Sequence, residues 1–309
     1  MECIASTLEG LEIIAEEELN GKKDSKGRVL FNKERKIIRS ALFSYQLLKK
    51  FKFKKEEDIY KTQIDPKIKG TIRVDCKREG KHKFSSQDIR KSFGEKLFNQ
   101  GFKVNLKEPE NIIFIDIKDN NCFIGLNPVE NYKRNYRIRN VSGSINSTIA
   151  YSLVHLAEIK KTDSILDPFC KDGILLIESG ISEAKSLNGL ERDIKNASIN
   201  SKLAKIKINL SNDPLDWIET RFKEGSITKI ITNLPSQSKK ISKNDAAEIT
   251  REFFYQSKHV LNKKGLMVLL TRDSLIVKKF ASEFEFKIIN SLDFIQGDTK
   301  YSILKLKRS

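Results

Sequence analysis

The sequence predicts an α/β protein. Its C-terminal part is a doubly wound, seven-stranded sheet with the last strand antiparallel, preceded by smaller α+β units. Beyond about residue 140, short apolar runs alternate strictly with helical stretches, as in a parallel sheet. Upstream, strands and helices interleave less regularly and are broken by basic turns. Near the C-terminus, strand-like segments at 286–295 and 300–307 are joined only by Gln296-Gly297-Asp298-Thr299. That link is too short for a crossover helix, so the final strand runs antiparallel to its neighbour.

In chain order, Met1 to Ser6 reads as an edge strand. Leu8 to Leu19 reads as a helix, with Leu8, Leu11, Ile14, Ala15 and Leu19 at helical spacing. Arg28 to Phe31 is a strand, and Lys36 to Leu48 a second amphipathic helix. After a lysine-dense run at 49–61, residues 70–77 alternate as a strand and 78–84 form a basic turn. Ser85 and Ser86 cap a helix running to Asn99, with Asp88 in capping-box spacing and Gly101 beyond its end. Strands follow at 103–106, 112–118 and 121–126, the last two joined through Asp119-Asn120. This interleaving predicts ferredoxin-like packing.

A polar connector at 127–140 leads into a helix from Ile145 to Ile159, with Ile145, Ile149, Leu153 and Leu156 on one face. Strands are then expected at 164–167, 187–191, 206–210, 229–233 and 265–271. The expected domain limits are 1–50, 51–128 and 144–309, with a linker at 129–143.

The formal charge is +17, from 58 basic and 41 acidic residues, and it favours a polyanionic partner, nucleic acid before membrane. Cys3, Cys76, Cys122 and Cys170 are scattered, with no CxxC and no Cys/His cluster, so neither a metal centre nor a disulfide framework is indicated. The first nineteen residues are acidic and amphipathic, unlike a signal peptide. A cytoplasmic monomer is expected.

Two polar loops follow strand-like runs: Asp167-Pro168-Phe169-Cys170-Lys171-Asp172-Gly173 and Asn233-Leu234-Pro235-Ser236. Loops at the C-terminal ends of parallel strands are where an open sheet builds its ligand site. GxGxxG is absent after the first of these strands, which argues against a dinucleotide dehydrogenase. Five parallel strands with a terminal antiparallel pair form the layout of class I S-adenosylmethionine-dependent methyltransferases.

The first loop and its following apolar run to Glu178 resemble the cofactor loop of THUMP-containing RNA guanine-N2 methyltransferases, usually DPFCGSG. Cys76 to Ile89 is similar to the THUMP core, Ala5 to Glu12 to the N-terminal ferredoxin-like domain that precedes it, and Tyr132 to Arg137 to the family linker. The likeness covers essentially the whole chain in one order. It implies that the 167–173 loop holds S-adenosylmethionine, with Asp167 orienting the amino group and loop amides cradling the carboxylate. Glu191 would accept the ribose hydroxyls, with Asp193 as a competing carboxylate, and Asp213 would stand near the adenine, unless it belongs to a plain turn before Pro214. Lys171 stands where the family usually has glycine; it either points outward, crowds the cofactor or offers a charge contact.

Asn233 to Ser236 resembles the family's NPPY or DPPY target loop. The lone pair of an exocyclic amine is delocalised into its ring. Acceptors at the Asn233 side-chain amide and the Leu234 carbonyl, with Pro235 shaping the loop, would turn that lone pair towards the methyl. Ser236 replaces an aromatic expected to stack on the base. For RNA contact the expected residues are Lys77, Arg78, Lys81, His82, Lys83 and Ser85 at the basic turn, Arg134, Arg137 and Arg139 in the linker, and Lys239 beside the target loop. The resulting expectation is methyl transfer to guanosine N2, foremost in tRNA. Alternatives are an rRNA guanine-N2 or adenine-N6 enzyme, or a non-catalytic RNA-binding protein motivated by Lys171 and Ser236.

Overall fold

The computed structural model describes residues 1–32, 37–64 and 68–309. The chain divides into two compact units, Met1–Thr7 with Ala15–Asn131, and Leu8–Ile14 with Tyr132–Ser309.

The elements before the connector are β1 (Cys3–Ser6), α1 (Glu12–Leu19), β2 (Lys22–Ser25), β3 (Arg28–Phe31), β4 (Phe43–Lys52), α2 (Glu56–Lys61), β5 (Ile72–Glu79), α3 (Ser86–Asn99), β6 (Asn111–Lys118) and β7 (Asn121–Glu130). The strands form one seven-stranded sheet in the order β2-β3-β1-β4-β7-β6-β5. β5 and β6 are parallel to each other, and the remaining pairs are antiparallel.

Three expectations are corrected here. β1 is interior, paired on both sides by β3 and β4, because Cys3, Ile4 and Ala5 are apolar on both faces. The helix expected at 36–48 is replaced from Phe43 onward by β4; its first residue, Lys36, lies outside the described residues. The apolar residues at 41–48 fit either period, and pairing with β1 and β7 on both edges selects the strand. The strand expected at 103–106 reduces to a single bridge between Val104 and Ile72. The capping box forms as expected: Asp88 N–H donates to Ser85 Oγ and Ser85 N–H to Asp88 Oδ2.

One buried ion pair crosses this sheet. Arg28 on β3 donates Nε and Nη2 to the two Asp116 oxygens on β6, each at 2.6 Å, and Tyr45 on β4 adds its hydroxyl at 2.8 Å. Burial alone disfavours the guanidinium cation, but the charge and hydrogen bond of Asp116 outweigh it and raise the Arg28 pKa. Burial, reinforced by Asp116, keeps Tyr45 protonated.

The second unit contains α4 (Ser147–Leu156), β8 (Ser164–Asp167), α5 (Ile174–Ile181), β9 (Ser186–Leu190), α6 (Lys195–Ala204), β10 (Asn209–Ser211), α7 (Ile218–Arg221), β11 (Ile227–Asn233), α8 (Lys243–Val260), β12 (Leu261–Thr271), α9 (Ser274–Glu283), β13 (Phe286–Gln296) and β14 (Thr299–Arg308). Their order is β10-β9-β8-β11-β12-β14-β13, with β10 to β12 parallel along that order and β14 antiparallel to both neighbours. This is the class I methyltransferase sheet. The third strand is three residues long and begins at Asn209 rather than Ile206.

The two-residue strand period sorts its side chains between two cores. Ile165, Ile231, Val268, Leu270 and Ile303 pack on one face with Ile145, Ile149 and Leu153 of the α4 segment. Leu166, Ile230, Met267, Leu269, Leu304 and Leu306 pack on the other with Phe253 and Phe254 of α8. Asn233 lies two residues beyond Ile231, so it continues the α4-facing row to the very end of β11.

Candidate active site

A cavity of about 540 Å³ opens at the C-terminal ends of β8, β9, β11 and β12. Its walls include Gly143, Ile149, Phe169, Lys171, Glu191 and the 233–236 loop, together with Arg272 and Tyr301. The two loops singled out in the sequence are therefore brought to one space.

The 167–173 loop is extensively tied. Asp167, at the end of β8, is 1% exposed, and its Oδ1 accepts from Thr232 Oγ1 at 2.6 Å and from Phe169 N–H at 3.2 Å. Burial pushes its carboxyl up to about 7, partly offset by the Thr232 and Phe169 bonds. Cys170 N–H donates to Leu190 O, Lys171 N–H to Glu191 Oε2 and Gly173 N–H to Cys170 O. These three amides, expected to cradle a carboxylate, are thus already hydrogen-bonded.

Gly173 caps α5 at φ +79°, and a Cβ there would stand 3.2 Å from Ala197 Cβ. Its requirement is the left-handed backbone and close packing on α6 rather than approach to a ligand. Pro168 is buried, while Phe169 forms a cavity wall and leans on Phe253.

Lys171 has φ +48°, the region that favours glycine, which gives a backbone reason for glycine at this place. Its ammonium turns onto the Gly143 carbonyl at 2.6 Å. Burial lowers the Lys171 pKa, opposed by Glu191 and Asp167. Glu191, immediately after β9, meets the cavity with one oxygen accepting from Lys171 N–H and the other from Arg192 N–H.

Two expected cofactor residues are engaged elsewhere. Asp172 is fully buried; Arg137 Nε donates to its Oδ2 at 2.8 Å, and Ser144 Oγ donates to its Oδ1 at 2.5 Å. Asp213 sits outside the cavity lining and accepts from Ser211 Oγ and Arg221, contacts that lower its pKa.

The residues expected to meet RNA divide in the same way. Arg137 is held by Asp172, and Arg134 Nε donates to the buried Glu178 carboxylate at 2.8 Å, so both turn inward as structural ties. Arg139 and Lys239 are exposed. At the basic turn Lys81, Lys83 and Ser85 are exposed, whereas Lys77 pairs with Glu79. His82 Nε2 lies 2.7 Å from the Asp119 carbonyl and Nδ1 3.0 Å from Arg78 Nη1. A carbonyl accepts and a guanidinium donates, so this geometry fits the tautomer with its proton on Nε2.

In the target loop, Asn233 is half-buried against the cavity, and Leu234 N–H is fixed to Leu270 O at 3.0 Å. The Leu234 carbonyl accepts a long bond, 3.4 Å, from Ser236 Oγ. Arg272 braces the loop by donating to Gln237 O at 2.8 Å. The sequence reading missed Arg272 and Tyr301. Arg272 directly follows a parallel strand, a usable signal; Tyr301 is the third residue of an antiparallel strand, whose start falls at this edge only because the strand is reversed. Among the described residues no group of His, Cys, Asp and Glu could hold a metal ion.

Glu191 and Phe169 supply a carboxylate and an aromatic wall around one space, a set that fits the ribose and adenine of S-adenosylmethionine. Fold and site together define a class I methyltransferase domain preceded by a separate α/β unit. Residues 53–127 match the THUMP domain, and residues 134–207 match the RMKL-like methyltransferase domain of UPF0020. The chain thus carries a THUMP domain followed by an RMKL-like methyltransferase domain.

Curated relatives include the tRNA (guanine(6)-N2)-methyltransferase of Methanocaldococcus jannaschii, 23% identical across 93% of this chain and 95% of the relative. The human U6 snRNA (guanine-N(2))-methyltransferase THUMPD2 is 29% identical over 65% of this chain and 40% of its own length. In three dimensions the chain matches TrmN from Thermus thermophilus with a TM-score of 0.79 and 21% identity, covering 100% and 99% of the two chains. It also matches SMU.472 complexed with SAH, with a TM-score of 0.77, 15% identity, and coverage of 100% and 98%.

Proposed function

We propose that this chain moves the methyl group of S-adenosylmethionine to the exocyclic N2 amine of a guanosine in RNA, with tRNA as the foremost substrate. The observation that carries the reading is the convergence of the cofactor-like loop and Asn233 on one cavity. The THUMP match and the names of the relatives support the substrate class.

When bound, S-adenosylmethionine would supply an electrophilic methyl: its S–C bond breaks as the N–C bond forms, S-adenosylhomocysteine leaves, and the amine's surplus proton passes to solvent. The chain positions the amine: Asn233 Oδ1 and the Leu234 carbonyl accept its two N–H bonds, leaving the lone pair directed at the methyl. The Leu234–Leu270 and Arg272–Gln237 hydrogen bonds hold that loop in place. Glu191 would accept the ribose hydroxyls of the bound cofactor on the acceptor sites its two amide bonds leave open. The exposed Lys239, Arg139, Lys81 and Lys83 offer charge to the RNA backbone.

Nucleoside mass spectrometry of tRNA and rRNA from deletion and parent strains tests this reading. The expected result is loss of N2-methylguanosine from a tRNA. No lost modification, together with no binding of S-adenosylmethionine in titration calorimetry, would favour the non-catalytic alternative.

A further inference from the structure

With Ser236 in the target loop, that loop itself offers no aromatic face to a base. A flipped base is ordinarily held by stacking as well as by hydrogen bonds to its edge. The aromatic side chains lining the cavity are Phe169 and Tyr301. Phe169 belongs to the cofactor-loop wall and rests against Phe253. Tyr301 stands at the other side, on β14.

Strand register places Tyr301 relative to the amine-binding loop. Asn233 pairs with Leu270, and Leu270 pairs with Ile303. Tyr301 lies two residues from Ile303 on the same α4-facing side. The backbones bearing Asn233 and Ile303 are therefore two ladder spacings apart, roughly 10 Å. A planar heterocycle whose amine reaches Asn233 can extend towards β14. The Tyr301 ring is fixed from behind by Phe294, with centroids 5.4 Å apart and planes 13° from parallel, and Phe294 is 2% exposed. One face of Tyr301 is thus backed by core, and the half-buried ring borders the cavity.

We infer that Tyr301 is the stacking residue for the target base, replacing from a C-terminal strand the aromatic face that Ser236 does not provide. The inference rests on the proposed base-methylating activity and deepens it. The ring arrives already immobilised, so stacking costs little additional side-chain entropy.

The test uses Tyr301→Phe, which keeps the ring, and Tyr301→Leu, which keeps apolar bulk against Phe294 without the aromatic face. Single-turnover transfer of labelled methyl to bulk tRNA from a deletion strain should fall roughly ten- to a hundredfold in Tyr301→Leu. Tyr301→Phe should stay within about threefold of the parent, given that the aromatic ring supplies the stacking interaction. S-adenosylmethionine affinity should be unchanged in both. Parent-like turnover in Tyr301→Leu, or an equal fall in Tyr301→Phe, overturns the inference.

A second readout needs no turnover. A tRNA transcript bearing 6-thioguanosine, irradiated with the parent protein and S-adenosylhomocysteine, should cross-link at the peptide containing Tyr301. Cross-linking confined to other peptides overturns the inference. If the parent transfers no methyl and the cross-link still forms at Tyr301, the activity proposal fails while base stacking stands.

Discussion

The Lys171 ammonium and the Gly143 carbonyl, both at the cavity wall, are joined by a 2.6 Å hydrogen bond. This bond ties the 167–173 loop to the connector preceding α4. The same residue binds Glu191 through its amide, so the loop is closed onto the carboxylate that follows β9 in this conformation.

Entry of a cofactor that needs the loop amides gives up such bonds, each contributing about 0.5–1.5 kcal/mol net. Lys171→Gly removes the side-chain tie and suits the φ of +48°. S-adenosylmethionine affinity should rise roughly two- to tenfold in titration calorimetry. Weakened binding would instead show that the ammonium contacts the cofactor.

Asn233→Ala should abolish measurable methyl transfer, by at least about a hundredfold, since it removes a preorganised acceptor. Filter binding should leave RNA affinity within about twofold, because the exposed cations that hold the phosphates are untouched. A parallel loss of RNA binding would assign Asn233 to grip rather than to chemistry.

Burial raises the Asp167 carboxyl from its ordinary 3.8 to about 7. Between those values the folded chain holds a proton that the unfolded chain has released. Stability is therefore lost as pH climbs through that window, and the deficit is complete above it. Asp167→Asn retains an oxygen for Thr232 and cannot ionise. It should melt above the parent at pH 8, with the gap narrowing as pH falls through 7 and closing only near pH 4 in thermal unfolding. An unchanging gap would mean that the carboxyl does not titrate in that range.

Removing one partner of the Arg28–Asp116 pair leaves a charge in the core. Asp116→Ala should lower stability by about 3–5 kcal/mol in chemical denaturation. The double variant Arg28→Met with Asp116→Leu should recover much of that loss, since no uncompensated charge remains. Equal stability of the two variants would show that the cost is one of packing.

The C-terminal sheet was legible because its strands carry opposite cores on alternate residues, and because four residues cannot contain a crossover. The two loops were legible from their position after such strands. β4 was not: apolar residues at both periods over a short run leave helix and strand open until neighbouring strands choose. Arg134, Arg137 and Asp172 look like ligands in a sequence because charge is written there without its partner. Only folding shows that these charges meet Glu178, Ser144 and one another.

β4 pairs with β1 along one edge and with β7 along the other. A cut near residue 50, where a composition-based boundary falls, passes through this shared strand rather than between modules. A fragment starting after Lys52 would leave the β7 edge unpatched, an invitation to strand exchange and aggregation. The strands β1 to β4 are thus stitched into one sheet with β5 to β7, and the two parts depend on each other for their pairing.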